Sequence, residues 1–492
     1  MFTANDGMLS SQLVSGKAPA AKIEGVQALV QRHFPHLWAA VEAGLSVCAT
    51  LLLKDNGNPT ALILLGPPST GKTTVASMFD GAKVKEEPLV YRSDEFTAAA
   101  FVSQSSSAQK QDLEKIDLLP RIKHKVLLTP DLATIFKGKP EELRHRLSTI
   151  TRVLDGQGFT RDSGTHGQRG YTGDYLFAWI GCTTPFPDNT WGLMAQLGSR
   201  LFFLGLETRA ATIEDLVQSS TGPESYLVKL KQCESAVGQF LEALFMASGG
   251  VRGVEWDNTQ TPQEVAKSIA RFAALLAVMR TPITPGSDTP VQPEDPKRAF
   301  AVLHNIARGH ALIHGRKHLQ EEDLPVVARI ALSSMPRERR GVIEGFALEG
   351  RDRDPLPVAP ITVAALMKAT GVGSDHTVVR IMYDMEKLKF AWFHKHGIGK
   401  ASWLTLNPEW EWCAEGRERE LILQATTSQQ TGDEPTHQPV RLDGSPTSQP
   451  TGGEVNGKPQ NINGVLTSQK SGGEYTASPT VTPNPKYHEP EW

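Results

Sequence analysis

The sequence predicts an α/β core on a parallel sheet, then a helical segment, a small helix-turn-helix unit with two trailing strands, and a tail that does not pack. Three observations carry this. Short apolar runs alternate with helical stretches between residues 56 and 207. A glycine-rich turn, Gly66-Pro67-Pro68-Ser69-Thr70-Gly71-Lys72-Thr73, follows the first run and opens a helix. Beyond residue 424 the chain is rich in Ser, Thr, Pro, Gly and Gln, with too little apolar surface to offset the entropy of ordering it.

The elements follow in order. In residues 1–55, Ile23, Val26, Leu29, Val30, Phe34, Leu37 and Trp38 fall near helical spacing, which predicts a helical N-terminal region. In 56–207, strands are expected at 61–65, 89–91, 126–128, 175–181 and 200–203. Residues 208–335 read as helical, with a Pro-, Thr- and Asp-rich loop at 281–295. Residues 336–415 form a further unit. Helices are expected at 337–347 and 361–369, then a turn at Gly371-Val372-Gly373 and a third helix over 375–387, capped by Ser374. Strands at 390–393 and 402–406 flank a basic loop, His394-Lys395-His396-Gly397-Ile398-Gly399-Lys400. Helix, helix, turn, helix and a two-stranded wing is the winged helix-turn-helix order. Residues 416–492 are assigned to a disordered tail. Within it Thr427-Ser428-Gln429 recurs at 447–449 and 467–469, a 20-residue period whose units are too polar to stack as a solenoid.

The totals narrow the class. At 492 residues and 39% hydrophobic content, the chain has room for about two to four domains. A net charge of −3 makes no electrostatic case for nucleic acid across the whole chain. Cys48, Cys182, Cys233 and Cys413 form no C-x-x-C pair and read as reduced thiols. The start, Met1-Phe2-Thr3-Ala4-Asn5-Asp6, lacks a signal peptide's basic opening. The longest nearly apolar run, 41–53, contains Glu42 and is too short for a bilayer. A soluble cytoplasmic protein with no membrane partner is expected.

The glycine-rich turn carries the chemistry. It matches G-x-x-x-x-G-K-[ST] at every fixed position, between a strand and a helix. Such a loop turns backbone N–H groups inward around phosphate oxygens, and the helix N-terminus adds its positive dipole end. Gly66, Pro67, Pro68, Ser69, Thr70, Gly71, Lys72, Thr73 and Thr74 are the candidate cradle. Lys72 would reach the β- and γ-phosphates and Thr73 would ligate Mg²⁺. A second metal-side carboxylate is needed. Asp131 ends a strand 59 residues beyond Lys72 and suits that place.

Further on come a helical stretch, a polar glycine-rich segment from Gly156-Gln157-Gly158 to Gly170-Tyr171, the strand ending in Thr183-Thr184-Pro185, and Ser199-Arg200-Leu201-Phe202. In this order the chain resembles the AAA+ ATPases over 56–330. It is most similar to the branch with a hairpin inserted before the sensor-1 strand, which includes the minichromosome-maintenance helicases and MoxR-type ATPases. The resemblance implies a P-loop AAA+ core with a helical lid. It makes Asp131 the Walker B acid, Thr183 the sensor-1 residue and Arg200 an arginine finger acting on a neighbouring subunit. Arg298, in Pro296-Lys297-Arg298, is similar to the sensor-2 position. Such a protein would bind Mg-ATP between its P-loop and lid, and would homo-oligomerise. Arg161, His166 and Arg169 on the hairpin could grip a polymer in the pore.

One departure stands out. The family usually ends the acidic strand with Asp-Glu, whereas this chain has Thr129-Pro130-Asp131. Asp94-Glu95, Glu141 and Glu142 are weaker candidates for the missing base. In the winged unit, His376, Thr377, Arg380 and Lys387 would face DNA, but Asp352, Asp354, Asp375, Asp384 and Glu386 offset its cations. DNA contact, protein docking and plain packing therefore stay open for it. His310, His314 and His318 share a helical spacing that can bind zinc, yet no carboxylate or cysteine completes the set locally. They read as polar lid residues, and Trp403, Trp410 and Trp412 as core. The function expected is an ATP-hydrolysing DNA translocase, remodeller or replication or regulatory factor. The alternatives are a MoxR-like protein remodeller or an ATP-switched transcriptional regulator with slow turnover.

Overall fold

The computed structural model describes residues 22–103, 110–163, 167–198, 200–206, 224–284, 291–349, 359–395 and 402–430, with single positions at 213, 217 and 221. Ser199, His166, residues 396–401 of the loop expected as a wing, and the repeats beyond 430 lie outside the described residues.

Helices α1 (Ile23–His33) and α2 (Trp38–Ala49) precede β1 (Thr60–Leu65), and the glycine-rich turn leads from β1 into α3 (Lys72–Phe79). A two-stranded ribbon, β2 (Lys83–Val84) and β3 (Glu87–Pro88), leads to β4 (Val90–Arg92). Then come α4 (Lys110–Ile116), α5 (Leu118–Ile122), β5 (Val126–Thr129) and α6 (Pro140–Val153). A hairpin of β6 (Gly158–Ser163) and β7 (Gly167–Thr172) precedes β8 (Ala178–Thr183), α7 (Asp188–Leu197) and β9 (Leu201–Gly205).

The sheet is parallel, in the order β4-β5-β8-β1-β9. Its strands are apolar on both faces because helices cover both. Along β1, Leu62 and Leu64 join the core that includes α2 and α3, while Ala61 and Ile63 join the core beneath α5 and α6. The expected hairpin before β8 is present.

The N-terminal helices are not a separate region as expected. Helix α2 is apolar nearly all round and buried over most of its length, so it has to be enclosed on every side. It lies between the sheet and α10 (Lys297–Ile313). That crossing is close: a Cβ on Gly309 of α10 would stand 2.0 Å from the Ser46 carbonyl oxygen of α2. The stretch Pro35–Leu52 is long and apolar enough to cross a membrane, but 78% of it is buried inside the protein.

The remaining helices of this segment are α8 (Tyr226–Ala247), α9 (Gln263–Arg280) and α11 (Leu324–Ser333). Helix α8 packs on α1 and α3, and α11 packs on β9. The backbone N–H of Phe203 in β9 donates to the Ser334 hydroxyl at 2.7 Å, tying the helices to the sheet edge.

Beyond them come α12 (Arg337–Glu349), β10 (Ile361–Thr362), α13 (Val363–Thr370), α14 (Asp375–Lys387), β11 (Ala391–His394), β12 (Trp403–Leu406) and α15 (Gly416–Gln430). Three strands pair antiparallel in the order β10-β12-β11. The helix expected over 361–369 begins later, because the β-branched pair Ile361-Thr362 extends beside Leu404 and Trp403. The Thr362 hydroxyl then caps α13 by accepting from the Ala365 N–H at 3.3 Å. Ser374 stands at the N-cap of α14 but makes no capping bond with its side chain. The expected tail is corrected over 416–430. Those residues form α15, which buries Leu421, Ile422, Leu423 and Ala425 against the helical segment. Glu418 anchors it, accepting from the Ser268 hydroxyl at 2.6 Å and pairing with Arg271 at 3.0 Å. A short apolar run in polar surroundings is enough when a groove is waiting for it.

Candidate functional site

Strand β1 delivers the glycine-rich turn to the C-terminal edge of the sheet, beside β8 and β9. The Gly66 N–H donates to the Thr183 carbonyl at 3.2 Å, which sets the turn one strand from Thr183. A Cβ on Gly66 would lie 2.4 Å from the Leu206 carbonyl oxygen, so only glycine fits. Ser69 and Gly71 both take positive φ, 66° and 84°, and Ser69 pays strain to do so. The Thr70 hydroxyl donates to the Pro67 carbonyl at 3.0 Å and braces the curve.

Lys72 folds back across this turn. Its Nζ donates to the Gly66 carbonyl at 2.7 Å, to the Pro67 carbonyl, and to the Thr70 hydroxyl at 3.3 Å. Burial pushes its ammonium below the ordinary lysine range, opposed by the charge of Asp131. Asp131 follows β5 on the same sheet edge and is exposed; its Oδ1 accepts from the Ala133 N–H at 2.8 Å. Thr73, the candidate metal ligand on α3, is exposed at the turn. Thr74 bonds through its hydroxyl to the Tyr226 Oη at 2.9 Å. Tyr226 comes from α8 and packs edge-on against Phe34, with ring centres 5.8 Å apart. Sequence reasoning missed Tyr226, since nothing in local spacing ties it to a turn more than 150 residues upstream.

Thr183 is buried at the end of β8, its hydroxyl donating to the Thr184 carbonyl at 3.1 Å. The weaker acidic candidates fall elsewhere. Asp94 follows the far edge strand β4 and pairs with Arg92 at 2.8 Å. Glu141 and Glu142 lie exposed in the first turn of α6. Thr129, two residues before Asp131, is buried and accepts from the Trp179 indole at 3.2 Å. Among the described acids, Asp131 is the one whose charge acts on Lys72.

The two arginine candidates sit together, away from the turn. Arg200 Nε lies 2.9 Å and Arg298 Nη2 2.8 Å from Asp155 Oδ1, with Arg152 Nη1 3.1 Å from Oδ2. Burial alone would raise the Asp155 pKa, but these guanidinium groups hold its carboxyl below the ordinary range. Leu201 pairs with Ala61 at the start of β1, and Gly156 abuts Gly57. The cluster therefore marks the N-terminal edge of the sheet. With six residues in β1 at about 3.3 Å each, it lies roughly 20 Å from the turn. Arg298, the sensor-2 candidate, stands beside Arg200 on Asp155.

On the hairpin, Arg161 and Arg169 face each other across the ladder. Arg161 covers the Phe159 ring at 5.0 Å and reaches Thr149 at 3.4 Å. In the unit of α12–α14 and β10–β12, His376, Arg380, Tyr383 and Lys387 are exposed at helical spacing on α14, while Thr377 is half-buried. Arg380 is already paired with Glu338 at 2.9 Å. Trp392 stands half-exposed on β11. Trp410 and Trp412 pack against the core, as expected, whereas Trp403 is half-buried on β12 and stacks on His394 with ring centres 5.5 Å apart.

No known family model matches this chain, and no curated protein is similar to it.

Proposed function

We propose that the chain is an Mg-ATP-binding and ATP-hydrolysing machine of the AAA+ type, cytoplasmic, which assembles into a ring or partial ring and acts on DNA. One observation carries the reading: Lys72 lies in a strained turn between a buried strand and a helix, with the Asp131 charge acting on it from the neighbouring edge. The turn is too tight at Gly66 for any Cβ, because the Leu206 backbone packs against it, which holds the loop in one shape. Residues 66–74 would hold the phosphates, and Thr73 and Asp131 the magnesium ion. Mg²⁺, when bound, neutralises charge developing on the transferred phosphoryl group. Lys72 would leave its carbonyl partners for phosphate oxygens, and the Thr183 hydroxyl would turn from Thr184 to sense the γ-phosphate.

The sheet order with the P-loop strand between β8 and β9 supports the AAA+ reading, as does the hairpin before β8. Arg200 and Arg298 lie too far from their own chain's P-loop to serve it, so they would act on a neighbour's nucleotide. The order α12, β10, α13, α14, β11, β12 supports a winged helix. His376, Arg380 and Lys387 on one exposed face favour DNA as its partner.

A second reading is a remodeller of protein clients. It is favoured by the Arg380–Glu338 pair, which leaves that face short of free positive charge. The single acid at Asp131 supports a slow-turnover switch within either reading. The deciding experiment is the ATPase rate of the full chain with and without single- and double-stranded DNA. Stimulation by DNA supports the first reading; stimulation by a protein client alone moves the assignment to the second. Absence of magnesium-dependent nucleotide affinity overturns both.

A further inference from the structure

We infer that Glu42, His310 and His314 form a binding site for a zinc-class divalent transition ion that ties α2 to α10. His310 lies in the last turn of α10 and His314 is the residue that caps it, their ring centres 4.6 Å apart. The carboxylate that their local sequence lacks arrives from α2, more than 260 residues upstream, across the close crossing at Gly309. Two imidazoles and one carboxylate are a donor set suited to zinc.

The three donor atoms lie within 4.8 Å of one another. His310 Nε2 is 3.6 Å from Glu42 Oε1. Zinc bonds of about 2.0–2.2 Å put tetrahedral donors roughly 3.3–3.5 Å apart. The first pair is nearly at that spacing, and His314 needs about an ångström of side-chain movement. It is half-buried, at the C-cap of the helix.

Two further observations point to a ligand. His310 Nδ1 is held by Asp323 Oδ1 at 2.7 Å, and Asp323 is fixed in turn by Arg316 at 2.8 Å. This orients the ring and leaves Nε2 on the Glu42 side, the arrangement that outer partners impose on metal-bound imidazoles. His314 Nε2 is buried with no hydrogen-bond partner, a cost unless something binds there. The three side chains line a cavity of 450 Å³, which leaves space for a water molecule as fourth ligand.

The surrounding charges permit a cation. Glu42, Glu322 and Asp323 stand against Arg316 and Arg329, three acids to two cations around the imidazoles. Arg329 sits 3.9 Å from Glu42 Oε2, leaving Oε1 toward His310. His318 takes no part, since its Nε2 meets the Gln320 side chain at 3.0 Å.

The test uses the full chain after chelator treatment, without nucleotide, titrated with zinc and with Co²⁺ as a spectroscopic probe. One equivalent should bind, give visible Co²⁺ absorption of a four- or five-coordinate site, and raise the unfolding temperature. Glu42→Gln and His314→Ala should each weaken binding at least tenfold, with His318→Ala unchanged. Because His314 Nε2 has no partner to lose, His314→Ala should fold normally, and its circular dichroism checks this. No saturable one-equivalent binding up to millimolar zinc overturns the site. So does full affinity in His314→Ala, which would place the ion elsewhere. Neither result bears on the nucleotide reading, which this site does not share.

Discussion

At the scale of single residues, the site turns on how few charges serve it. Lys72 has only backbone carbonyls and one hydroxyl to hold its ammonium, so it is poised to exchange them for phosphate oxygens. Charge-assisted hydrogen bonds contribute about 1.5–3 kcal/mol each. Lys72→Ala should therefore weaken ATP binding about ten- to a hundredfold, read by titration with a fluorescent nucleotide, while leaving the unfolding temperature nearly unchanged. Gly66→Ala acts differently. Its Cβ meets the fixed Leu206 carbonyl, so overpacking of about 1–3 kcal/mol is expected, seen as a lower denaturant midpoint alongside lost binding. Asp155 gives a pH signature. Its carboxyl is held below the ordinary range by Arg200, Arg298 and Arg152 against the opposing effect of burial. A depressed carboxyl stabilises the fold above its unfolded pKa and loses that contribution as pH falls through the folded value. The stability gap between wild type and Asp155→Asn should thus be constant near neutrality and shrink below about pH 4. Unfolding midpoints across that range check it, and a gap that widens on acidification would contradict the assignment.

At the scale of elements, α15 is the clearest test of what holds the helical segment together. It buries Leu421, Ile422, Leu423 and Ala425 and carries Glu418 onto Ser268 and Arg271. Burying a Leu or Ile side chain is worth about 1.5–3 kcal/mol. A chain ending at 415 should then lose several kcal/mol and unfold or aggregate, whereas one ending at 430 keeps every one of these contacts and should melt like the full chain. Differential scanning calorimetry separates the two. This element also shows where sequence reading fails. Strands β1, β5 and β8 were legible because both of their faces are buried and they read as unbroken apolar runs. The glycine-rich turn was legible because its backbone demands glycine at Gly66 and Gly71, between an apolar strand and a helix. The start of α15 was hidden because composition averages over a long polar tail, and three consecutive apolar residues do not shift that average. Strand β10 was hidden because two residues carry no period. The Asp155 cluster and the meeting of Glu42 with His310 depend on helices and strands far apart in sequence, and spacing along one helix cannot show them.

At the scale of the whole molecule, the separation of about 20 Å between Lys72 and the Arg200–Arg298 pair dictates how turnover would depend on assembly. One sheet edge carries the glycine-rich turn proposed to hold phosphate, and the opposite edge carries cations shared on Asp155. A single chain cannot bring its two edges together, whereas two chains packed edge to edge can. Electrostatic stabilisation of a transferring phosphoryl group by an arginine is worth roughly 10³–10⁵ in rate. Arg200→Ala should therefore bind ATP as wild type does yet hydrolyse it at least a hundredfold more slowly, with Arg298→Ala showing the same pattern. Mixing is the stringent check. Lys72→Ala keeps intact arginines but an empty site; Arg200→Ala keeps an intact site but offers no finger. Combined, they should recover part of the wild-type rate, rising with protein concentration, because some interfaces then pair a good site with a good arginine. Wild-type turnover in Arg200→Ala alone would show that Arg200 is a structural partner of Asp155 and nothing more. Recovery absent from the mixture at concentrations where wild type is active would show that hydrolysis is completed within one chain.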